Sequence, residues 1–314
     1  MEISVIICAH NPDRSRLHRT LDGLRLQTLP PDRWETLLVD NASSPEISRD
    51  ELAPHAPVNL RILRESALGL TSARRTGLRA ATAGIVILVD DDNVLAPDYL
   101  EQTLAVFTRL PRVGAIGGKS IPEFSSTIQR NDWRREFFPL LALRDLGEVE
   151  QISTGLRPPG AEHNQYPAFA PIGAGMALRL TAVAAWLNNT SSALSDRRGT
   201  ELTSAGDNDL IFSVLQSGWE VAYIPALSLT HLIPPSRLTP QYLARLNHGI
   251  QKSWAQLLLL HDSSPWPPIA RWTLPLRRLK AWFSYRAWSS HAALIRWSGA
   301  CGHFDGRASQ PRKT

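Results

Sequence analysis

The chain has 314 residues, of which 43% are hydrophobic, and it carries a formal net charge of +5 with a pI near 9.5. This length and apolar content allow one or two domains with a substantial core. Cys8 and Cys301 are too few for a disulfide framework or a thiolate metal site. No window reaches the roughly 18 uninterrupted apolar residues of a membrane span, and the first residues lack a signal-peptide pattern, so the sequence predicts a cytoplasmic protein.

Strands alternate with helical segments through the first third of the chain. Apolar runs predict strands at residues 3–9, 34–39, 60–64 and 85–89, and helices are predicted at 15–27, 69–81 and 97–110. This alternation predicts an α/β fold with a mostly parallel, Rossmann-like central sheet flanked by helices. No glycine-rich dinucleotide or Walker-type phosphate loop follows the first strand, which argues against the usual dinucleotide and ATP-hydrolysing classes.

The later elements are less regular. Helical character is predicted at 133–146, 181–187 and 206–216, and short strands at 221–224 and 227–231. The small residues at 171–178 suit either a tightly packed strand or a backbone that approaches a substrate. Beyond Pro234 and Pro235 the chain becomes helical and rich in Trp. We therefore predict a first domain at 1–240 and a helical, basic C-terminal extension at 241–314.

Three carboxylates, those of Asp90, Asp91 and Asp92, arrive together where the strand at 85–89 ends. In open α/β sheets ligands gather outside the carboxyl ends of the strands. Adjacent like charges repel unless a cation relieves them, and Mg²⁺ or Mn²⁺ prefers carboxylate oxygens and bridges to phosphates. The segment therefore suits a metal and phosphate site, although Asp and Asn are also ordinary residues of a polar loop before a helix.

Several short motifs follow one another along the chain at residues 4–11, 37–43, 69–74, 89–92, 173–176, 206–210 and 218–225, with His231 after them. In this order and spacing, about residues 3–235 resemble the family 2 glycosyltransferases, nucleotide-sugar-dependent enzymes of the GT-A fold. The resemblance implies that Asp40 contacts the base of the nucleotide, most often uracil, and that Arg74 lies near the nucleotide. The implied donor-binding residues are Ala9, His10, Asn11, Asp40, Arg74, Asp90 and Asp91.

The resemblance also implies that Asp90, Asp92 and His231 hold a Mn²⁺ or Mg²⁺ ion, with a well-bonded histidine at a strand end as the alternative for His231. Asp207 matches the catalytic aspartate of the family. The family often has Glu-Asp where this chain has Gly206-Asp207, which leaves Asp209 as a rival base. A second departure is Ala73-Arg74-Arg75 in place of the common Ala-Arg-Asn.

These assignments predict an inverting transfer of a sugar from a nucleotide diphosphate sugar, expected to be a UDP-sugar, to an acceptor hydroxyl. A divalent ion would neutralise the departing diphosphate, and Asp207 would deprotonate the acceptor, which is a saccharide or a lipid-linked molecule. Two alternatives remain, a sugar nucleotidyltransferase and a non-catalytic protein that binds nucleotide sugars or nucleic acid. The absence of a nucleic-acid-binding motif argues against nucleic acid.

The basic excess belongs mainly to the tail, because residues 263–304 contain no acidic residue while arginines alternate with tryptophans. This segment could lie in a membrane interface, which would make the enzyme a peripheral protein of the inner membrane face. Alternatively, its Trp side chains pack on the catalytic core as part of a helical subdomain.

Overall fold

The computed structural model describes residues 1–153, 155–156, 164–188 and 205–309. Its strands are β1 (Ile3–Ala9), β2 (Trp34–Asn41), β3 (Leu60–Glu65), β4 (Ile85–Asp90), β5 (Asn93–Leu95), β6 (Val113–Phe124), β7 (Gln151–Ser153), β8 (Ala177–Arg179) and β9 (Glu220–Ile233). Its α-helices are α1 (Arg14–Arg25), α2 (Arg49–Leu52), α3 (Leu70–Ala80), α4 (Tyr99–Arg109), α5 (Ala184–Asn188), α6 (Ala205–Gln216), α7 (Pro240–Leu260), α8 (Leu274–Ser284) and α9 (His291–Ala308).

One mixed sheet in the order β3-β2-β1-β4-β8-β6-β9-β5 organises these elements, and β7 pairs with β9. The first four strands of this order are parallel, with Ile3 of β1 opposite Trp34 of β2 and Ile85 of β4. β8 runs antiparallel between β4 and β6. The predicted α/β fold is confirmed, and its parallel part carries the strand ends that were expected to bind ligand.

The core lies on both faces of the sheet because β1 alternates its side chains between them. Val5 and Ile7 belong to a cluster with Leu17 and Leu21 of α1, whereas Ile6 packs with Leu78 of α3 on the opposite face. Helices therefore cover both faces of the sheet, and the apolar strands are buried throughout.

A third cluster joins the C-terminal helices to the core. It contains Phe137, Ile233, Leu243 and Leu246 together with Ile295 of α9. α9 packs closely against α7 along a seam of glycines: a Cβ at Gly302 would lie 2.8 Å from the carbonyl carbon of His248. The described part of the chain contains no helix whose length and apolar character would let it cross a bilayer.

The helical character predicted at 133–146 takes the form of a 3₁₀ helix (Trp133–Leu141), and Pro139 lies inside it. Two other predicted elements differ from the structure. The two short strands predicted around Pro225 are one long strand, β9. The small-residue segment is a loop that leads into the three-residue strand β8.

Candidate active site

A cleft of about 590 Å³ opens at the carboxyl ends of β1, β2 and β4 and is closed on one side by α7. Its walls carry predicted site residues from five separate parts of the chain. Those that line it are Ala9, His10, Asn11, Arg74, Asp90, Asp91, Asp92, Asp207 and His231. The fold therefore brings together every predicted site residue except Asp40.

The pairing of β5 with β9 explains why the carboxylates meet His231. Asn93 lies opposite His231 in this antiparallel pair, and the backbone N–H of Leu232 donates to the carbonyl of Asp92 at 2.9 Å. His231 Nε2 consequently lies 3.3 Å from the buried carboxylate of Asp92. Arg237, just beyond β9, reaches the other oxygen of Asp92 at 2.9 Å.

These contacts give the adjacent carboxylates different proton affinities. Burial opposes ionisation of Asp92, but the hydrogen bond from His231 and the charge of Arg237 outweigh it and lower the pKa of Asp92 to about 2. For Asp91, burial together with the charges of Asp92 and Asp90 outweighs the opposing charges of Arg237 and Arg16 and raises its pKa to about 7. The end of β4 thus concentrates negative charge that a cation would relieve.

Asp207 and Arg74 form the second polar centre of the cleft. The guanidinium of Arg74 contacts the carboxylate of Asp207 and lies 4.0 Å from Asp90. The backbone N–H of Gly173 donates to Asp207 Oδ2 at 3.0 Å. Arg74 therefore connects the carboxylates of β4 to Asp207.

Asp209, the rival base, has a different environment. Its carboxylate accepts hydrogen bonds from Trp186 Nε1 and His261 Nε2, both at 2.9 Å. It does not line the cleft. The structure therefore favours Asp207 over Asp209 as the group that can meet an acceptor.

The opposite end of the cleft is built from the loops that follow β1 and β2. His10 Nδ1 donates to the carbonyl of Asn41 at 2.7 Å, and the backbone N–H of Asn11 donates to Ser43 Oγ at 2.9 Å. These bonds hold the two loops together, with Ala9, His10 and Asn11 on the wall.

Asp40 is the one predicted site residue that the structure does not place on the wall of the cleft. Its carboxylate accepts the backbone N–H groups of Ser43 and Ile47, both at 3.0 Å, and Arg64 at 2.5 Å. Although burial opposes ionisation, these hydrogen bonds hold the pKa of Asp40 below its ordinary value. The carboxylate of Asp40 thus holds the loop that follows β2 through hydrogen bonds, and the neighbouring Asn41 lines the cleft instead.

Sequence reasoning missed two parts of the site. Arg237 follows the Pro-Pro pair and lies in a 3₁₀ helix (Pro235–Leu238) to which the sequence assigned no site residue, and its position three residues after Pro234 was the available signal. Tyr242, Leu246 and Ile250 recur every four residues along α7 and give the cleft an apolar wall. Both depend on the path of the chain after β9, which no local pattern specifies.

The donor set fits a hard divalent ion that shares its coordination with a substrate. The site offers the oxygens of Asp90 and Asp92 and the imidazole of His231, whose Nδ1 is buried without a hydrogen-bond partner among the described residues. Within the part of the chain that the structure describes, no group of three or more His, Cys, Asp or Glu side chains is arranged to hold a metal ion by itself. Mg²⁺-type ions commonly use only one or two carboxylates, with substrate phosphates and water completing the shell.

The family comparison agrees with this geometry. The model described as "Glycosyl transferase family 2" matches residues 4–159, which include β1, the loop after β2 and the carboxylates of β4. The chain belongs to glycosyl transferase family 2. Membership of this family agrees with the polar cleft at the carboxyl ends of the parallel strands.

Curated relatives match part of the chain. The glucosyl-dolichyl phosphate glucuronosyltransferase of Haloferax volcanii is 26% identical over 142 residues, which cover 44% of this chain and 42% of the relative. The validoxylamine A glucosyltransferase of Streptomyces hygroscopicus subsp. limoneus is 30% identical over 106 residues, covering 33% of this chain and 23% of the relative. The alignment spans less than half the length of either relative.

Solved structures resemble the whole fold. The mannosyltransferase PcManGT from Pyrobaculum calidifontis, in complex with GDP-Man and Mn²⁺, has a TM-score of 0.53 at 19% identity and covers 96% of this chain and 72% of that one. GalNAc-T7 with UDP, GalNAc and Mn²⁺ has a TM-score of 0.55 at 14% identity, covering 97% and 55%. At these identities the likeness establishes the GT-A fold.

Proposed function

We propose that this glycosyltransferase moves a sugar from a nucleotide diphosphate sugar, a UDP-sugar by preference, to an acceptor hydroxyl with inversion at the anomeric carbon. The observation that carries the proposal is the bridge from Asp90 through Arg74 to Asp207, which joins a charge-binding centre to a base across one cleft.

Asp207 is the proposed base. The acceptor O–H gives its proton to the carboxylate of Asp207 while the acceptor oxygen bonds to the anomeric carbon. The bond from that carbon to the diphosphate breaks on the opposite face, and its electron pair leaves with the diphosphate. The backbone N–H of Gly173 orients the carboxylate during this step.

Arg74 has two proposed roles in this reaction. Before the donor binds, its guanidinium pairs with Asp207 and lies close to Asp90. A bound diphosphate competes for the same guanidinium, which lets Asp207 turn toward the acceptor. Donor binding and activation of the base are thereby coupled.

The donor rests on the other residues of the cleft. Ala9, His10 and Asn11, together with the loop that Asp40 shapes, bind the nucleoside, and Asp90 and Asp91 lie toward the diphosphate. Asp92, Asp90 and His231 would hold a Mn²⁺ or Mg²⁺ ion, which supplies Lewis-acid neutralisation of the leaving diphosphate. The solved neighbours in complex with Mn²⁺ support this choice of metal.

The apolar wall of the cleft favours an acceptor with an apolar part. Leu140 and Leu141 from the 3₁₀ helix face the cleft, as do Leu246 and Ile250 from α7. A bare saccharide offers little apolar surface to such a wall, whereas a lipid-linked acceptor does. The name of the Haloferax volcanii relative includes a dolichyl phosphate, in agreement with this preference.

The test begins with a thermal-shift screen of nucleotide sugars with and without Mn²⁺, because a ligand that binds only the folded state raises the melting temperature. The stabilising donor is then incubated with saccharide and lipid-linked acceptors, and the anomeric configuration of the product is read by NMR. A product that retains the donor configuration would refute the single displacement, and donor binding without any transfer would support the alternative of a binding protein.

A further inference from the structure

Helix α8 turns its apolar residues away from the protein. Leu276, Leu279 and Phe283 are 66%, 55% and 60% exposed, and Trp272, one turn before the helix, is 78% exposed. Their spacing of four, three and four residues places them along one face. Ala281, on the opposite face, is buried where α8 packs against α9. An amphipathic helix of a globular protein normally turns its apolar face toward the protein core.

Aromatic rings extend this outward surface beyond the end of the helix. Trp288 is 56% exposed, and its ring contacts Phe283 edge-to-face with the ring centroids 5.8 Å apart. Trp282 lies between Trp288 and Trp297 and ties the surface to α9. The exposed apolar side chains therefore form one continuous strip, which we call the α8 strip: Trp272, Leu276, Leu279, Phe283 and Trp288.

Positive charge surrounds the strip, and carboxylates balance only part of it. Residues 263–304 contain no Asp or Glu. Arg278 and Arg296 are paired, with Asp305 and Glu136 respectively. Within the described part of the chain, Arg277, Lys280 and Arg286 have no carboxylate partner, although soluble surfaces usually intersperse both signs of charge.

An exposed apolar strip beside unpaired cations suits an anionic lipid surface better than it suits a second copy of the chain or a nucleic acid. Two copies of this chain that met strip to strip would bring their unpaired cations together, which costs free energy. Nucleic acid would use the cations, but Leu276 and Leu279 at the centre of the strip offer no ring on which a base could stack. Helices that lie in a bilayer interface have Leu, Phe and Trp on one face and Lys or Arg beside them.

We propose that α8 docks on the surface of a bilayer that contains anionic lipids. The α8 strip enters the boundary between headgroups and acyl chains, and Arg277, Lys280 and Arg286 lie at the level of the lipid phosphates. This docking does not depend on the proposed reaction, since it uses none of the residues that line the cleft.

Flotation of the full chain with liposomes tests the proposal. Wild-type protein is mixed with vesicles of phosphatidylcholine alone or with phosphatidylglycerol added, and the lipid-bound fraction is measured over a range of salt concentrations. We expect binding to the anionic vesicles that weakens as salt screens the headgroups. The variant L276S/L279S/F283S should need at least about tenfold more lipid for half-binding, because it loses three of the five apolar side chains of the strip.

The variant R277Q/K280Q/R286Q separates the electrostatic contribution, and it should lose the preference for phosphatidylglycerol. A matched control, L26S/V58S/V149S, removes three exposed apolar side chains elsewhere and should float like wild type. Equal melting temperatures show that all variants are folded. The proposal is overturned if wild-type protein does not bind the anionic vesicles. It is also overturned if L276S/L279S/F283S binds them as well as wild type does. A different result would assign the strip to a second copy of the chain. In that case the wild type would not bind lipid but would self-associate in ultracentrifugation, and only L276S/L279S/F283S would lose this self-association.

Discussion

Gly173 offers a direct test of how tightly the base is held. A Cβ at this position would lie 2.7 Å from Asp207 Cγ and 2.6 Å from Arg74 Nη2, whereas ordinary contacts begin at 3.4 Å. In Gly173→Ala the carboxyl carbon must therefore retreat by about 0.7 Å, and the guanidinium must move with it. Because a displacement of about 1 Å can cost about 100-fold in rate, we expect kcat to fall by about that factor.

The assay is steady-state turnover with the donor and acceptor found by screening, together with calorimetric donor binding. Gly84→Ala is the matched control, since a Cβ there meets no atom within 4 Å and its turnover should stay at the wild-type level. Melting temperatures of both variants show whether the substitution disturbs the fold rather than the site. If Gly173→Ala folds normally and keeps kcat within about threefold of wild type, the assignment of Asp207 as a positioned base is refuted.

Four further substitutions test other parts of the structure. Asp207→Asn should lower kcat by about 10²–10⁴-fold while calorimetry still detects the donor, whereas Asp209→Asn should mainly lower the melting temperature, because it disturbs two hydrogen bonds that hold α6. Asp92→Asn should weaken Mn²⁺-dependent donor binding, and equal affinities with Mn²⁺ and with EDTA in the wild type would contradict a metal-assisted donor site. Glu35 is buried, and although burial opposes ionisation, hydrogen bonds from Thr82 and Ser4 hold its pKa below the ordinary 4.5. A lowered pKa stabilises the fold above pH 4.5, and this contribution is lost as the pH falls, so wild-type stability should drop more steeply on acidification than that of Glu35→Gln. The free energy of unfolding of both proteins is measured with urea at several pH values. If it falls equally with pH in wild type and Glu35→Gln, this reasoning is wrong.

The sequence predicted the parallel half of the sheet well because local patterns determine it. The runs that became β1, β2 and β4 are apolar and end at polar residues, as strands covered on both faces do. β8 has only three residues, and its antiparallel place between β4 and β6 depends on contacts distant in the chain. β9 continues through Pro225, which sequence reasoning took as the end of a strand.

In the candidate site, too, the residues placed by a local pattern were predictable, and those placed by contacts distant in the chain were not. Asp90, Asp91 and Asp92 were predictable from the end of one strand, whereas the approach of His231 requires β5 to pair with β9. Arg237 and the apolar residues of α7 enter the cleft only because the chain returns over it after β9. For Asp40, the sequence correctly predicted a position at the end of a strand. It could not show that the carboxylate accepts hydrogen bonds from the following loop and therefore does not line the cleft.

The glycine seam between α7 and α9 has a consequence for redesigning this enzyme. One side of α7 lines the cleft with Tyr242, Leu246 and Ile250, and its other side accepts α9 so closely that a Cβ at Gly306 would lie 2.7 Å from Ala255 Cβ. A graft that exchanged α7 alone between relatives would break this fit. New acceptor specificity is therefore best transplanted by moving both helices as one cassette.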